Sequence, residues 1–155
     1  MDQLEELIAS TFAAFKAEAM STPPMSLRAG DAVDDYTDQP SYSAQADAIT
    51  DDYLREFRWG LPHLDSASWR HYLPHLLAHA AKHHALGSDV TDALIQNLRP
   101  PDRGQLSSLS ADQQQVVIKV LDLIAFCETS PHSQAAQTAL EEWWAPGALY
   151  RPASI

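Results

Sequence analysis

The sequence predicts an all-α fold: a single compact domain of about five or six helices, with a long acidic loop near residues 21–46. Three observations predict it. Apolar residues recur three and four apart in successive stretches, helix-capping residues precede several of those stretches, and no stretch alternates in the manner of a strand. At 155 residues the chain suits one domain, 1–155, since a domain of this size removes roughly 68–70% of its unfolded surface from water. Hydrophobic residues make up 45% and charged residues 20%, a globular composition rather than that of a disordered chain.

Residues 3–20 place Leu4, Ile8, Phe12 and Phe15 at helical spacing, with Asp2, Glu5 and Glu6 at the end where the helix dipole favours negative charge. Residues 21–46, STPPMSLRAGDAVDDYTDQPSYSAQA, are rich in Pro, Ser, Gly and Asp and lack periodicity, which predicts a long, partly mobile loop. Such a loop is either a recognition surface or a tolerated insertion. Its Asp31, Asp34, Asp35 and Asp38 lack the alternating ligands and closing Glu of a calcium loop.

Thr50 predicts an N-cap, with Asp51 and Asp52 in the first turn and Ile49, Tyr53 and Phe57 four apart, before Gly60 and Pro62 stop the helix. The next helix begins after Ser66 or Ser68 and ends at Gly87; Pro74 within it marks either a kink or the start of a second helix. Ser88 caps DVTDALIQNL, whose Val90, Leu94, Ile95 and Leu98 form one stripe that RPPDRG terminates. Ser110 and Gln113 stand in capping-box spacing ahead of Val116, Val117, Val120, Leu121, Ile124 and Cys127, the predicted central buried helix. Ser130 and Pro131 open the last helix, which carries Ala136, Leu140, Trp143 and Trp144 before Pro146 and Gly147.

The stretches WRHYLPHLL, GSDVTDALIQNLRPPDRG, LSSLSADQQQVVIKVLDLIAF and ALEEWW resemble a family of uncharacterised bacterial helical proteins, a domain of unknown function marked by WRxYLP, LRPPDR and EEWW motifs. The resemblance covers roughly residues 49–145 and implies a small helical bacterial protein. It implies no activity, cofactor or catalytic residue. His71 stands where that family more often has an aromatic, and residues 21–46 lie outside the resemblance.

Ten Lys and Arg against 21 Asp and Glu give a net charge of −11, and no basic run is present to track a phosphate backbone. Direct nucleic-acid binding is therefore disfavoured. Residues 1–65 carry net −9 and residues 66–155 net −2, so electrostatic steering would come from the N-terminal part and favour a basic partner; solubility alone is the other reading. The single cysteine, Cys127, excludes an internal disulfide and fits a reducing compartment. With no basic n-region and no apolar run of about 18 residues, the chain reads as cytoplasmic, without a membrane span.

Histidines recur four apart at His71, His75, His79 and His83, with His84 beside the last. At about 100° per residue the series drifts from the solvent face at His71 to the core edge at His83, and His84 points inward. Neighbouring pairs can chelate one ion, and His79 with His83 is the best pair because Pro74 disturbs the turn between His71 and His75. A site for zinc or another divalent transition metal would use His79 and His83, joined by His75, and would need a further ligand such as His132, an acid or a second subunit. A pH sensor and the wet side of an ordinary helix are the alternatives.

Cys127 and His132 lie five apart without any motif of a thiol nucleophile, and no phosphate loop, Ser/His/Asp order or dinucleotide fingerprint is visible. Trp143 and Trp144 point about 100° apart on a helix, so one can fill the core while the other meets a partner or a second copy. These features predict a non-enzymatic, immunity- or antitoxin-like interaction protein, monomeric or homodimeric, that needs no cofactor and binds a basic protein partner. Asp31, Asp34, Asp35, Asp38, Asp51, Asp52, Trp143 and Trp144 are the candidate contact residues; metal binding through His75, His79 and His83 is the alternative.

Overall fold

The structure is a computed structural model that describes residues 2–152. Among the described residues it is all-helical. The α-helices are α1 (Gln3–Ala14), α2 (Lys16–Met20), α3 (Leu27–Asp34), α4 (Asp51–Glu56), α5 (Ser66–Lys82), α6 (Asp89–Asn97), α7 (Ala111–Ala125) and α8 (Ser133–Ala139). Two 3-10 stretches, Arg58–His63 and Leu106–Ser108, and a π turn, Leu140–Trp144, complete them.

Local chemistry sets most starts. Asp2 and Glu5 form a reciprocal capping box on α1, and Ser110 and Gln113 form another on α7. Thr50, Asp65 and Ser88 each accept the N–H three residues on and so cap α4, α5 and α6. Pro74 does not divide α5, which runs through it as one 17-residue helix. It does end early: His83 is the C-cap, and Gly87 lies beyond it.

α5 is the hub. It packs against α1, α2, α6 and α7, and buries Trp69, Tyr72, Leu73, Leu76, Leu77 and Ala80. The central position predicted for α7 therefore belongs to α5, while α7 adds Val117, Val120, Leu121 and Ile124 to the same core. Each of these larger side chains contributes roughly 1.5–3 kcal/mol when removed from water. Cys127 falls after the end of α7 and is half-buried rather than in the core stripe.

The acidic segment departs from the predicted loop, because α3 lies inside it. Ser26 caps α3, which buries Leu27, Ala29, Gly30 and Ala32. Three of those four residues are Gly or Ala and the helix is only eight residues long, so its apolar side is brief and lies hidden in a Pro-, Ser- and Asp-rich stretch. Small residues are required there: a Cβ on Gly30 would stand 2.5 Å from the Gly60 carbonyl oxygen, and one on Gly60 would stand 2.3 Å from the Asp31 nitrogen. Backbone meets backbone, and α3 and the Arg58–His63 turn form one tight unit.

The irregular chain after α3 is also anchored. Arg28 Nε and Nη2 donate to the two oxygens of Asp47 at 3.0 and 3.2 Å, Tyr53 Oη donates to Oδ1 at 2.8 Å, and Ser43 N–H donates to Oδ2 at 2.8 Å. Burial pushes the Asp47 carboxyl up, but these bonds and the Arg28 charge together hold it below its ordinary value.

At the C-terminal end the wider π turn brings both tryptophans inward. Trp144 is 1% exposed and its indole N–H donates to the Leu98 carbonyl at 2.7 Å. Trp143 is buried as well, so neither presents the free aromatic face expected of a contact residue.

Candidate functional site

A cavity of about 560 Å³ opens where the start of α4, the end of α5 and the start of α6 converge. Asp51, His79, His83, Ser88, Asp92 and His132 line it among others. Local rules position each. Asp51 is the first residue of α4, directly after its cap; His79 and His83 lie one turn apart at the end of α5; Ser88 is the cap of α6.

The centre of the site is a hydrogen-bonded chain. His79 Nδ1–H donates to Asp51 Oδ1 at 3.0 Å, because an ionised carboxylate only accepts. Nε2 shares a hydrogen bond of 2.7 Å with the Ser88 hydroxyl, and Ser88 Oγ in turn accepts the Thr91 N–H at 3.2 Å. The Ser88 N–H donates to His132 Nε2 at 3.0 Å. His83 Nε2 lies 3.9 Å from Asp51 Oδ2, and the His79 and His83 rings are 4.6 Å apart between centroids. The bond from His79 holds the Asp51 carboxyl below its ordinary value, against the effect of partial burial.

Asp51, His79 and Ser88 thus stand in the order of a nucleophile relay that no sequence motif showed. Ser88 is poorly arranged for that chemistry. Its oxygen is committed to capping α6, and its own N–H, the natural donor to an oxyanion beside the nucleophile, is given to His132. The same groups are well arranged to hold a cation, with two imidazoles and a carboxylate converging from different helices.

The histidine series divides. His71, expected on the solvent face, is only 7% exposed and donates from Nδ1 to the Glu18 carbonyl at 2.8 Å. His75 meets the edge of Phe12 at 5.1 Å and does not join the cavity. Burial, with His71 nearby, pushes its value down to about 4. The cause is α1 and α2, which cover the side of α5 that a helical projection leaves wet. His84, expected to point inward, is half-buried with Nδ1 bonded to the Ala81 carbonyl.

The six candidate aspartates separate in the same way. Asp51 faces the cavity and Asp52 pairs with Arg55 at 2.8 Å. Asp34 reaches His63 Nε2 at 3.0 Å, and Asp38 is exposed. Asp31 is crowded: burial first, then Asp35, Asp34 and Glu56, push its carboxyl up, against the lowering effect of the nearby Arg58. On the same α3 and 3-10 unit, Tyr36 is 98% exposed in a left-handed conformation with φ 58°, and Trp59 is mostly exposed beneath the Arg58 guanidinium at 4.7 Å. Neither aromatic was singled out by periodicity, since an exposed aromatic in an irregular stretch has no pattern to belong to.

Fold and site define a class: a helical domain with a histidine–carboxylate cavity and a cluster of carboxylates around α3. The chain belongs to a family of unknown function (DUF6714), whose model matches residues 3–148. No curated protein and no solved structure matches it. The motifs behind the expected resemblance have structural work here. Trp69, Tyr72, Leu73 and Pro74 are core, Arg99 pairs with Glu142 at 2.6 Å, and Trp143 and Trp144 are buried. No helix among the described residues is long and apolar enough to cross a membrane.

Proposed function

We propose that this chain is a non-enzymatic interaction domain that binds a basic protein partner on its α3 face, in the manner of an immunity protein or antitoxin covering a cationic nucleic-acid site. The observation that carries the reading is the crowding of Asp31, Asp34, Asp35 and Glu56 beside the exposed Tyr36 and Trp59. Clustered carboxylates steer a cationic partner and reject an acidic one. Exposed aromatics supply the apolar contact that charge alone does not. The close Gly30–Gly60 packing keeps the face preorganised.

Asp31, Asp34 and Asp35 belong to this surface, Asp34 also bonded to His63, and the exposed Asp38 follows them in sequence, whereas Asp51 turns to His79 and Asp52 to Arg55. The test is photocrosslinking from position 36 in the producing cells, followed by mass spectrometry, for the wild type and for D31N/D34N/D35N/E56Q. A basic protein crosslinked by the wild type, and lost at least tenfold from the quadruple variant, is the expected result. Equal capture by both, or no basic protein captured, overturns the reading.

A further inference from the structure

The histidine cavity opens at the first turn of α4, whose last residue, Glu56, belongs to the acidic face, and the residues that would hold a ligand there are different from those proposed to meet the partner. We infer that Asp51, His79 and His83 form a binding site for a zinc-class divalent transition metal ion. One ligand atom from each lies within 4.8 Å of the other two. Around a tetrahedral ion with bonds of about 2.0–2.1 Å, ligand atoms stand roughly 3.3 Å apart. Asp51 Oδ1 and His79 Nδ1, at 3.0 Å, are already near that spacing; His83 Nε2 lies 3.9 Å from the other Asp51 oxygen, and with the three ligand atoms spread over as much as 4.8 Å its ring must move inward by up to about 1.5 Å to bind. His83 and Asp51 are the more exposed members and sit at helix ends, where side chains have room to turn.

The donor set selects the ion. Two imidazole nitrogens and one carboxylate suit zinc, cobalt and nickel, whereas calcium and magnesium take all-oxygen sets. Charge is compatible as well: Asp51 supplies one negative charge directly, and Asp89 and Asp92 line the same cavity. The cations nearby are Arg55, held by Asp52, and Lys82, which is exposed.

Ser88 acts as a positioning residue. Ligation through Nδ1 moves the ring proton of His79 to Nε2, which then donates to Ser88 Oγ across the existing 2.7 Å contact. The liganded ring keeps one proton, on Nε2. Three protein ligands leave the fourth position open to the cavity, the arrangement of a site that holds a water or a small ligand on the ion.

The test uses the full chain purified on a non-histidine tag and stripped with chelator. Zinc is titrated by calorimetry, and cobalt by its visible spectrum. The expected result is one ion per chain and an intense tetrahedral-type cobalt band. His83→Ala and Asp51→Asn should each weaken zinc binding at least tenfold, Ser88→Ala should weaken it by about 10–100-fold, and His75→Ala should leave it unchanged. His79 is buried and bonded on both nitrogens, so His83→Ala is the cleaner ligand variant, with circular dichroism verifying its fold. Absence of stoichiometric binding to the wild type, or unchanged affinity in both folded ligand variants, overturns the site.

Discussion

His75 shows how one side chain can set a pH limit on the whole fold. Its folded value is near 4, against an ordinary 6.5, because burial disfavours the charged ring and His71 adds repulsion. The unfolded chain therefore takes up this proton at a higher pH than the folded one. Stability is full above about pH 6.5 and falls as pH drops from there towards 4. Urea midpoints measured across that window should decline for the wild type and decline less for His75→Gln. Asp47 and Asp51 are depressed acids and have the opposite chemistry but the same direction of loss, in a lower window beneath their ordinary value of 3.8. Asp47→Asn removes the negative charge beside Arg28 and turns the Oδ2 acceptor of Arg28 Nη2 and the Ser43 N–H into a donor, and should cost about 2–4 kcal/mol in the same unfolding experiment.

At the scale of an element, the pairing of α3 with the Arg58–His63 turn is the least forgiving. Gly30→Ala drives a methyl group into the Gly60 carbonyl, and neither partner is a flexible side chain that can yield. A loss of about 1–3 kcal/mol is expected, read as a fall in melting temperature of roughly 2–4 °C for each kcal/mol in a chain of this size. The π turn gives a second test. Trp144→Ala should destabilise by about 3–5 kcal/mol without altering the mass in solution, since the ring fills the core and bonds Leu98 instead of facing a second copy. A variant that changed the oligomeric mass while keeping its stability would contradict that placement. These two elements also mark where sequence patterns stop. Capping residues such as Thr50, Ser88 and Ser110 act within three residues, so the helices they begin were legible. α3 meets its neighbour through glycine and alanine and is only eight residues long, so its amphipathic pattern is too brief to stand out from the irregular sequence around it. Pro74 was ambiguous for a related reason: whether a helix survives a proline depends on what packs around it.

Across the whole molecule, the all-helical class and the N-terminal excess of negative charge could be read directly, because both are sums over many residues. The composition of the cavity could not. A projection of α5 orders His71, His75, His79 and His83 around one axis, yet it is silent on which helices lie across each sector. α1 and α2 take the first two, and the start of α4 brings Asp51 to the other two. Asp51 was singled out as surface charge and Ser88 as a cap, and their meeting at His79 is a tertiary event. The histidines of one stripe consequently serve two ends of the helix.

The walls of that cavity are drawn from residues 51–55, 79–92 and 131–132. This sets a schedule for its assembly. A chain emerging from the ribosome can cap α4, wind α5 and start α6, but the Ser88 amide has no acceptor until His132 has also been made. The pocket is thus completed only once residue 132 has been made, and nothing that depends on its finished shape can engage a chain that still lacks it.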